Sequence, residues 1–184
     1  MTAKEKYNEY IKPFLALFLI CLVSAALLGF VNSKTAPVIE SAELAREEQV
    51  RKEMLPEETS FTEVSIDEVL GSGVDVDSIY KGDSGTGYVI TATRAGYGGD
   101  VTVTVGINSK GIVVNISASL PDETQGVGSK AGESSYTDMF IGLSGSADEV
   151  DTISGATYSS SAVKECVTAA LEAFSIVSQD GGEL

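Results

Sequence analysis

The sequence predicts an α+β protein with one N-terminal transmembrane helix and a stalk helix, followed by a compact domain with an antiparallel sheet and a C-terminal helix. Three observations support this fold class. Residues 14–31 contain no charged side chain, residues 88–118 contain three runs that alternate between apolar and polar side chains, and residues 163–177 repeat apolar side chains at helical spacing. The 184 residues have room for one domain and an additional segment.

The composition excludes several classes of site. The chain contains no His, which excludes a His-ligated metal site and acid–base catalysis by imidazole. Its two cysteines, Cys21 and Cys166, are too few for a disulfide framework, a zinc site or an iron–sulfur cluster. Residues 32–184 hold 9 basic and 25 acidic side chains, so this part of the chain would repel nucleic acid. We therefore assign no metal ligand, no catalytic residue and no nucleic-acid partner.

The charge-free run predicts a transmembrane helix over residues 13–31. A cleaved signal peptide is the competing interpretation, but its apolar core would be shorter, and Gly29-Phe30-Val31-Asn32 is a poor cleavage site. Three lysines lie within residues 1–12, and Lys34 alone follows the run closely. The positive-inside rule therefore predicts a cytoplasmic segment over residues 1–12 and places the large acidic domain on the outer face of the cell membrane.

A stalk helix is predicted within residues 32–56. Thr35-Ala36-Pro37 is typical of a helix start, with Pro in the first turn. Apolar residues then recur at roughly helical spacing as far as Met54, and Pro56 ends the pattern. The compact domain would follow over residues 57–178.

The first part of this domain is predicted to be a sheet. One short element is suggested by Ile66, Val69 and Leu70, and three period-2 runs then predict strands at Tyr88–Thr93, Val101–Ile107 and Ile112–Ala118. Asn108-Ser109-Lys110-Gly111 is a hairpin turn between the last two strands. The simplest arrangement is a three-stranded antiparallel meander.

The last part of the domain is predicted to be helical. Ser134 to Phe140 form a short helix, and Ser159 or Ser160 is a suitable N-cap for the C-terminal helix. Residues 179–184 form a flexible tail. One apolar face defines the C-terminal helix, with members Val163, Cys166, Val167, Ala170, Leu171, Phe174 and Val177.

Residues 151–160 are rich in hydroxyls, with five Ser or Thr among ten residues. Gly155 and Ala156 are small enough to let a bulky ligand approach, and a helix start offers N–H groups to an anion. Thr157 is therefore a hydroxyl placed where a phosphate would be stabilised. A turn followed by a helix cap is the structural alternative. A nucleophilic serine is disfavoured, because the chain has no His to act as its base.

Three stretches together resemble the membrane-anchored FMN-binding family. This family includes the G subunit of the Rnf electron-transport complex and the C subunit of the sodium-pumping NADH:quinone reductase. Their order, their spacing and the preceding span agree with the family, and the short chain favours the Rnf member. The stretches are Gly96-Tyr97-Gly98-Gly99 followed by Val105-Gly106-Ile107, then Glu123-Thr124-Gln125-Gly126-Val127-Gly128, then Asp151-Thr152-Ile153-Ser154-Gly155-Ala156-Thr157-Tyr158-Ser159.

The resemblance implies that FMN is joined through its phosphate to the hydroxyl of Thr157 by a dedicated flavin transferase that uses FAD and Mg²⁺. It also implies an electron-carrier subunit of a ferredoxin:NAD oxidoreductase complex that couples electron transfer to ion translocation, in contact with other membrane subunits and with membrane lipid. The other cofactor-binding residues that it implies are Ser154, Gly155, Ala156, Tyr158, Ser159, Tyr97, Gly98, Glu123, Thr124 and Gly126.

Three alternatives stay open on the sequence. The chain could be the C-type subunit of a sodium-pumping NADH:quinone reductase, or a stand-alone extracytoplasmic flavin reductase. It could also be a membrane-anchored binding module without a redox role. Whether the protein is an enzyme by itself is left open.

Overall fold

The computed structural model describes residues 12–180, so nearly all of the predicted cytoplasmic segment 1–12 and most of the predicted tail 179–184 lie outside the described residues. The described elements confirm the α+β class. Two short 3₁₀ turns, at Gly128–Gly132 and Asp138–Phe140, flank the short helix at Ser134–Thr137. The elements are α1 (Lys12–Met54), β1 (Phe61–Val64), α2 (Asp67–Gly71), β2 (Ser78–Gly82), β3 (Gly87–Ala95), β4 (Asp100–Asn108), β5 (Val113–Ser119), α3 (Ser134–Thr137) and α4 (Thr157–Asp180).

The N-terminal region is one helix of 43 residues, α1, where the sequence predicts two. Its segment Phe14–Ala36 has a mean hydropathy of 2.8 and is long enough to cross a bilayer, which anchors the protein to a membrane. The predicted helix start at residues 35–37 is wrong, because the backbone is helical on both sides of Pro37. A proline inside a helix removes one backbone donor and crowds the carbonyl four residues before it, a local cost that the other hydrogen bonds of this 43-residue helix outweigh. The boundary between membrane span and stalk at residues 31 and 32 stays a prediction.

The chain forms two compact units, divided between Glu47 and Glu48. The second unit contains a five-stranded antiparallel sheet in the order β1-β2-β3-β4-β5. The three predicted strands are confirmed as β3, β4 and β5, and Gly111 adopts a φ of 78° in the predicted hairpin turn. The predicted three-stranded meander has two strands too few, because the sheet also contains β1 and β2. These strands have only four and five residues, which is too short for a clear alternation in the sequence.

Helix α4 covers one face of the sheet, where it packs on β3 and β4. The inward side chains of β4, which include Val101, Val103 and Val105, are fully buried against this helix. The predicted apolar face of α4 is confirmed, with Phe174 only partly buried at its margin. The packing holds the first turn of α4 at the edge of the sheet where β3 ends and β4 begins.

The opposite face of the sheet is covered by the end of α1 and the residues after it. Met54 and Leu55 are buried there against Val89. The side-chain amide of Asn115 on β5 donates a hydrogen bond of 2.7 Å to the carbonyl oxygen of Glu53, near the C-terminus of α1. The final turn of α1 is therefore part of the same folded unit as the sheet.

Candidate functional site

Three loops that are distant in sequence line one cleft of about 260 Å³. The antiparallel meander brings them together, because β3 ends, β4 begins and β5 ends at the same edge of the sheet. The loops lie between β3 and β4, after β5 and before α4. The residues that line the cleft are Tyr97, Glu123, Thr124, Val127, Gly128, Gly155, Ala156, Thr157, Tyr158 and Ser159.

Most of the residues predicted as cofactor-binding line this cleft. Ser154, Gly98 and Gly126 do not, although Gly98 bonds to a residue that does. Val127 and Gly128 line the cleft but were not predicted as site residues. Both residues could have been predicted from the sequence, because they belong to the second motif, Glu123 to Gly128. The predicted roles of all these residues stay predictions.

The hydroxyl of Thr157 stands at the start of α4. The helix begins at Thr157, and the first intrahelical bond runs from Ser160 N to Ala156 O at 2.9 Å. The predicted N-cap at Ser159 or Ser160 is therefore wrong by three or four residues. The N–H groups of the first turn have no acceptor within the helix. They lie beside an exposed hydroxyl, and together these groups suit the ester and the charge of a phosphate.

Ser160 performs a different task from capping. Its Oγ accepts a hydrogen bond from Ile153 N at 3.0 Å and donates one to Ala156 O at 2.8 Å. The side chain is fully buried. It thereby binds the loop before α4 to the first turn of the helix, which holds Thr157 in one place. Gly155 in this loop has a φ of 84°, a left-handed backbone conformation that is unfavourable for residues other than glycine.

The Gly-Tyr-Gly-Gly loop uses its glycines for close approach. Among the described residues with positive φ, none belongs to this loop. A Cβ atom on Gly98 would overlap the carbonyl oxygen of Asp122, and one on Gly99 would overlap the side chain of the same residue. The loop therefore packs directly on the chain segment that follows β5, and this contact sets the position of Tyr97.

Glu123 joins the first loop to the second. Its side chain is 6% exposed, and Oε1 accepts hydrogen bonds from Tyr97 N at 2.6 Å and from Gly98 N at 3.2 Å. Oε2 is buried and has no hydrogen-bond partner within the described residues, although the Ser159 hydroxyl lies near the carboxylate. Burial raises the pKa of Glu123, but the backbone hydrogen bonds from Gly98 and Tyr97, together with the nearby Ser159 hydroxyl, outweigh it and hold the pKa below its usual value. The carboxylate is therefore ionised at neutral pH.

Two tyrosine rings stand at the mouth of the cleft. Tyr97 is 76% exposed and Tyr158 is 73% exposed. Their ring centroids are 6.2 Å apart, and their planes are tilted by 44°. Exposed aromatic faces beside a cleft provide stacking surfaces for a planar ligand.

Comparison with known proteins agrees with this geometry. Residues 96–172 match the family model described as an FMN-binding domain. This segment is an FMN-binding domain. It begins at the Gly-Tyr-Gly-Gly loop, ends within α4 and contains every residue that lines the cleft.

Curated relatives align with most of the chain, beyond the FMN-binding domain. The G subunit of the Na⁺-translocating ferredoxin:NAD⁺ oxidoreductase complex of Acetobacterium woodii is 28% identical over 97% of this chain and 100% of its own length. The G subunit of the ion-translocating oxidoreductase complex of Methanosarcina acetivorans is 29% identical over 90% of this chain and 94% of its own. The G subunit of the proton-translocating ferredoxin:NAD⁺ oxidoreductase complex of Clostridium ljungdahlii is 24% identical over 85% of this chain and 86% of its own length. The resemblance to Rnf G subunits drawn from the motifs is confirmed.

The cleft of the FMN-binding domain suits the chemistry of FMN. Tyr97 and Tyr158 offer aromatic faces to the flavin ring, and Val127 adds an exposed apolar side chain. The first turn of α4 offers N–H groups and a hydroxyl to the phosphate. Glu123 Oε2 is buried without a hydrogen-bond partner among the described residues, so the wall of the cleft has an acceptor available for a polar ligand atom.

Proposed function

We propose that this protein is the flavin-carrying electron-transfer subunit of an Rnf-type ion-translocating oxidoreductase complex, with FMN bound covalently to Thr157. The carrying observation is that the exposed Thr157 hydroxyl lies at the first residue of α4, in the cleft formed by the three motifs of the FMN-binding domain. Its relatives, named as G subunits of such complexes, support the placement in a complex with other membrane subunits.

Attachment is a phosphoryl transfer to Thr157. Its Oγ attacks the phosphorus on the riboflavin side of FAD, and the pyrophosphate bond to AMP breaks. A new phosphoester forms between Thr157 and FMN, AMP leaves with the bridging oxygen, and the hydroxyl proton is released. A separate flavin transferase with Mg²⁺ performs this step. The Thr157 side chain is exposed, so such an enzyme has access to its hydroxyl.

The attached phosphodiester keeps one negative charge, and the start of α4 stabilises it. A helix N-terminus contributes about 0.3–1 kcal/mol to such an anion at an exposed position. Among the described residues that line the cleft there is no Lys or Arg, so the donors available there are neutral groups, which include the helix N–H groups. When bound, the flavin supplies reversible electron transfer, and the side chains of this protein hold and orient it.

The membrane anchor places the carrier beside its redox partners. We infer that the N-terminus is cytoplasmic and that the FMN-binding domain lies on the outer face, because three lysines precede the span and Lys34 alone follows it closely. A covalent bond retains the flavin on that face, where a dissociated cofactor would be lost. The protein then carries electrons, while other subunits of the complex perform the chemistry of its substrates.

The test is to produce the full chain together with a flavin transferase and to examine it on a denaturing gel. Ultraviolet fluorescence at the full-length band, together with an intact mass increased by FMN less one water, is the expected result. A dark band of unchanged mass would refute the covalent site.

Two variants identify the hydroxyl that carries the flavin. Thr157→Ala should abolish the fluorescence, while Ser154→Ala, which removes a hydroxyl three residues away on the same loop, should retain it. Persistent labelling of Thr157→Ala would show that the assignment to this hydroxyl is wrong. Association with the complex is tested by co-purification with polytopic membrane subunits, and a protein isolated free of them would contradict that part of the proposal.

A further inference from the structure

Glu123 is the one charged side chain among the described residues that line the cleft. Its Oε1 is occupied by Tyr97 N and Gly98 N, while Oε2 is buried without a partner among the described residues. The negative charge is thus held in the wall of the cleft by neutral groups, and no cation of the described lining compensates it.

The fold makes space for this carboxylate with two glycines. A Cβ atom on Gly96 would overlap Oε1, and a Cβ atom on Gly128 would overlap Oε2. Ser159, in the first turn of α4, lies next to the same corner. The three motifs therefore meet around one carboxylate, which is a constructed environment rather than an incidental surface charge.

We propose that Glu123 sets the reduction potential of the flavin in this cleft through its fixed negative charge, and positions Tyr97 through its other oxygen. This inference rests on the proposed function, because it requires the flavin to occupy the cleft. Glu123 is in this sense a positioning and tuning residue.

The physical basis is electrostatic. Reduction adds electrons to the flavin ring, so a nearby negative charge disfavours the reduced form and moves the potential to more negative values. Because the carboxylate is buried, the interaction is screened less than one between exposed charges. No Lys or Arg in the described lining opposes it.

The experiment compares two buried carboxylates in the flavin-loaded full chain. Glu123→Gln keeps an oxygen acceptor and removes the charge. The matched control is Glu58→Gln, because Glu58 also accepts backbone N–H bonds, from Ser84 at 3.1 Å and Thr86 at 3.0 Å, but in the loop at the other end of β3. Midpoint potentials are measured by spectroelectrochemical titration of the visible flavin absorbance.

The expected result is a midpoint shifted to more positive potential in Glu123→Gln and unchanged in Glu58→Gln, with both chains fluorescent on a denaturing gel. An unchanged midpoint in a labelled Glu123→Gln chain would overturn the role of Glu123 and leave the covalent site standing. An unlabelled wild-type chain would instead refute the covalent site itself.

A second variant keeps the inference testable if the Gln variant does not fold. Glu123→Asp retains the charge, but its side chain is one methylene shorter and withdraws from Tyr97 N. Its midpoint should stay close to that of the wild type. A positive shift in Glu123→Asp would show that the loop contact, and not the charge, controls the potential, and would overturn the proposal.

Discussion

Gly98→Ala tests whether close packing of two loops builds the cleft. A Cβ atom at this position would overlap the carbonyl oxygen of Asp122, which is backbone and cannot rotate away. Overpacking of this kind costs about 1–3 kcal/mol. If the loop moves to relieve the overlap, it weakens the bonds from Tyr97 N and Gly98 N to Glu123, and a bond to a charged group contributes about 1.5–3 kcal/mol. Either response predicts a loss of about 1–3 kcal/mol in the free energy of unfolding.

The assay for Gly98→Ala is urea denaturation of the full chain in detergent, followed by far-ultraviolet circular dichroism. With a slope of about 1–3 kcal/mol per molar urea, the midpoint should fall by about 1 M. Gly71→Ala is the matched control, since a Cβ atom there meets no atom within 4 Å, and its effect should stay within about 0.5 kcal/mol. Equal midpoints for Gly98→Ala and the wild type would refute the reasoning about loop contact.

Other substitutions and conditions test separate features. Gly155→Ala places a side chain at a φ of 84°, so we expect a loss of about 1–2 kcal/mol and weaker flavin labelling, measured by urea midpoint and gel fluorescence. Phe140→Ala empties a fully buried site and should cost about 3–5 kcal/mol by thermal denaturation. The hydrogen bond from the Thr86 side chain lowers the pKa of Glu58. The ionised Glu58 carboxylate therefore stabilises the fold at pH values above the ordinary carboxyl pKa, and this stabilisation is lost as the pH falls through the lowered pKa. Glu58→Gln should flatten that part of a plot of urea midpoint against pH. Burial raises the pKa of Cys166 to about 12, so its thiol should react with an alkylating reagent only on unfolding, as followed by intact mass.

The sequence predicted those parts of the fold that have a strong local pattern. Strands β3 to β5 follow from alternation, and α4 follows from its apolar face. The start of α4 was misplaced because Ser159 and Ser160 have the composition of caps. Ser160 instead bonds backward to Ile153 and Ala156, a contact that composition does not encode. Strands β1 and β2 were missed because short strands carry too few residues to show a period.

The candidate site was predictable in its parts but not in its assembly. The motifs identified Thr157, Tyr97 and Glu123 individually. The bond from Tyr97 N to Glu123 Oε1 spans 26 residues and depends on the register of the sheet, which no local pattern specifies. The cofactor-binding role of Gly98 stays a prediction; the close packing of this glycine on Asp122 is a long-range contact that the motif did not reveal.

The two tyrosines at the mouth of the cleft allow flavin attachment to be followed by the fluorescence of the protein itself. The chain has seven Tyr and no Trp, so tyrosine dominates its intrinsic ultraviolet emission. Tyr97 and Tyr158 both line the cleft, and a flavin there would accept their excitation energy. Maturation could thus be followed in real time as a fall in tyrosine emission. Replacing both tyrosines by leucine would remove the part of that signal that originates at the cleft.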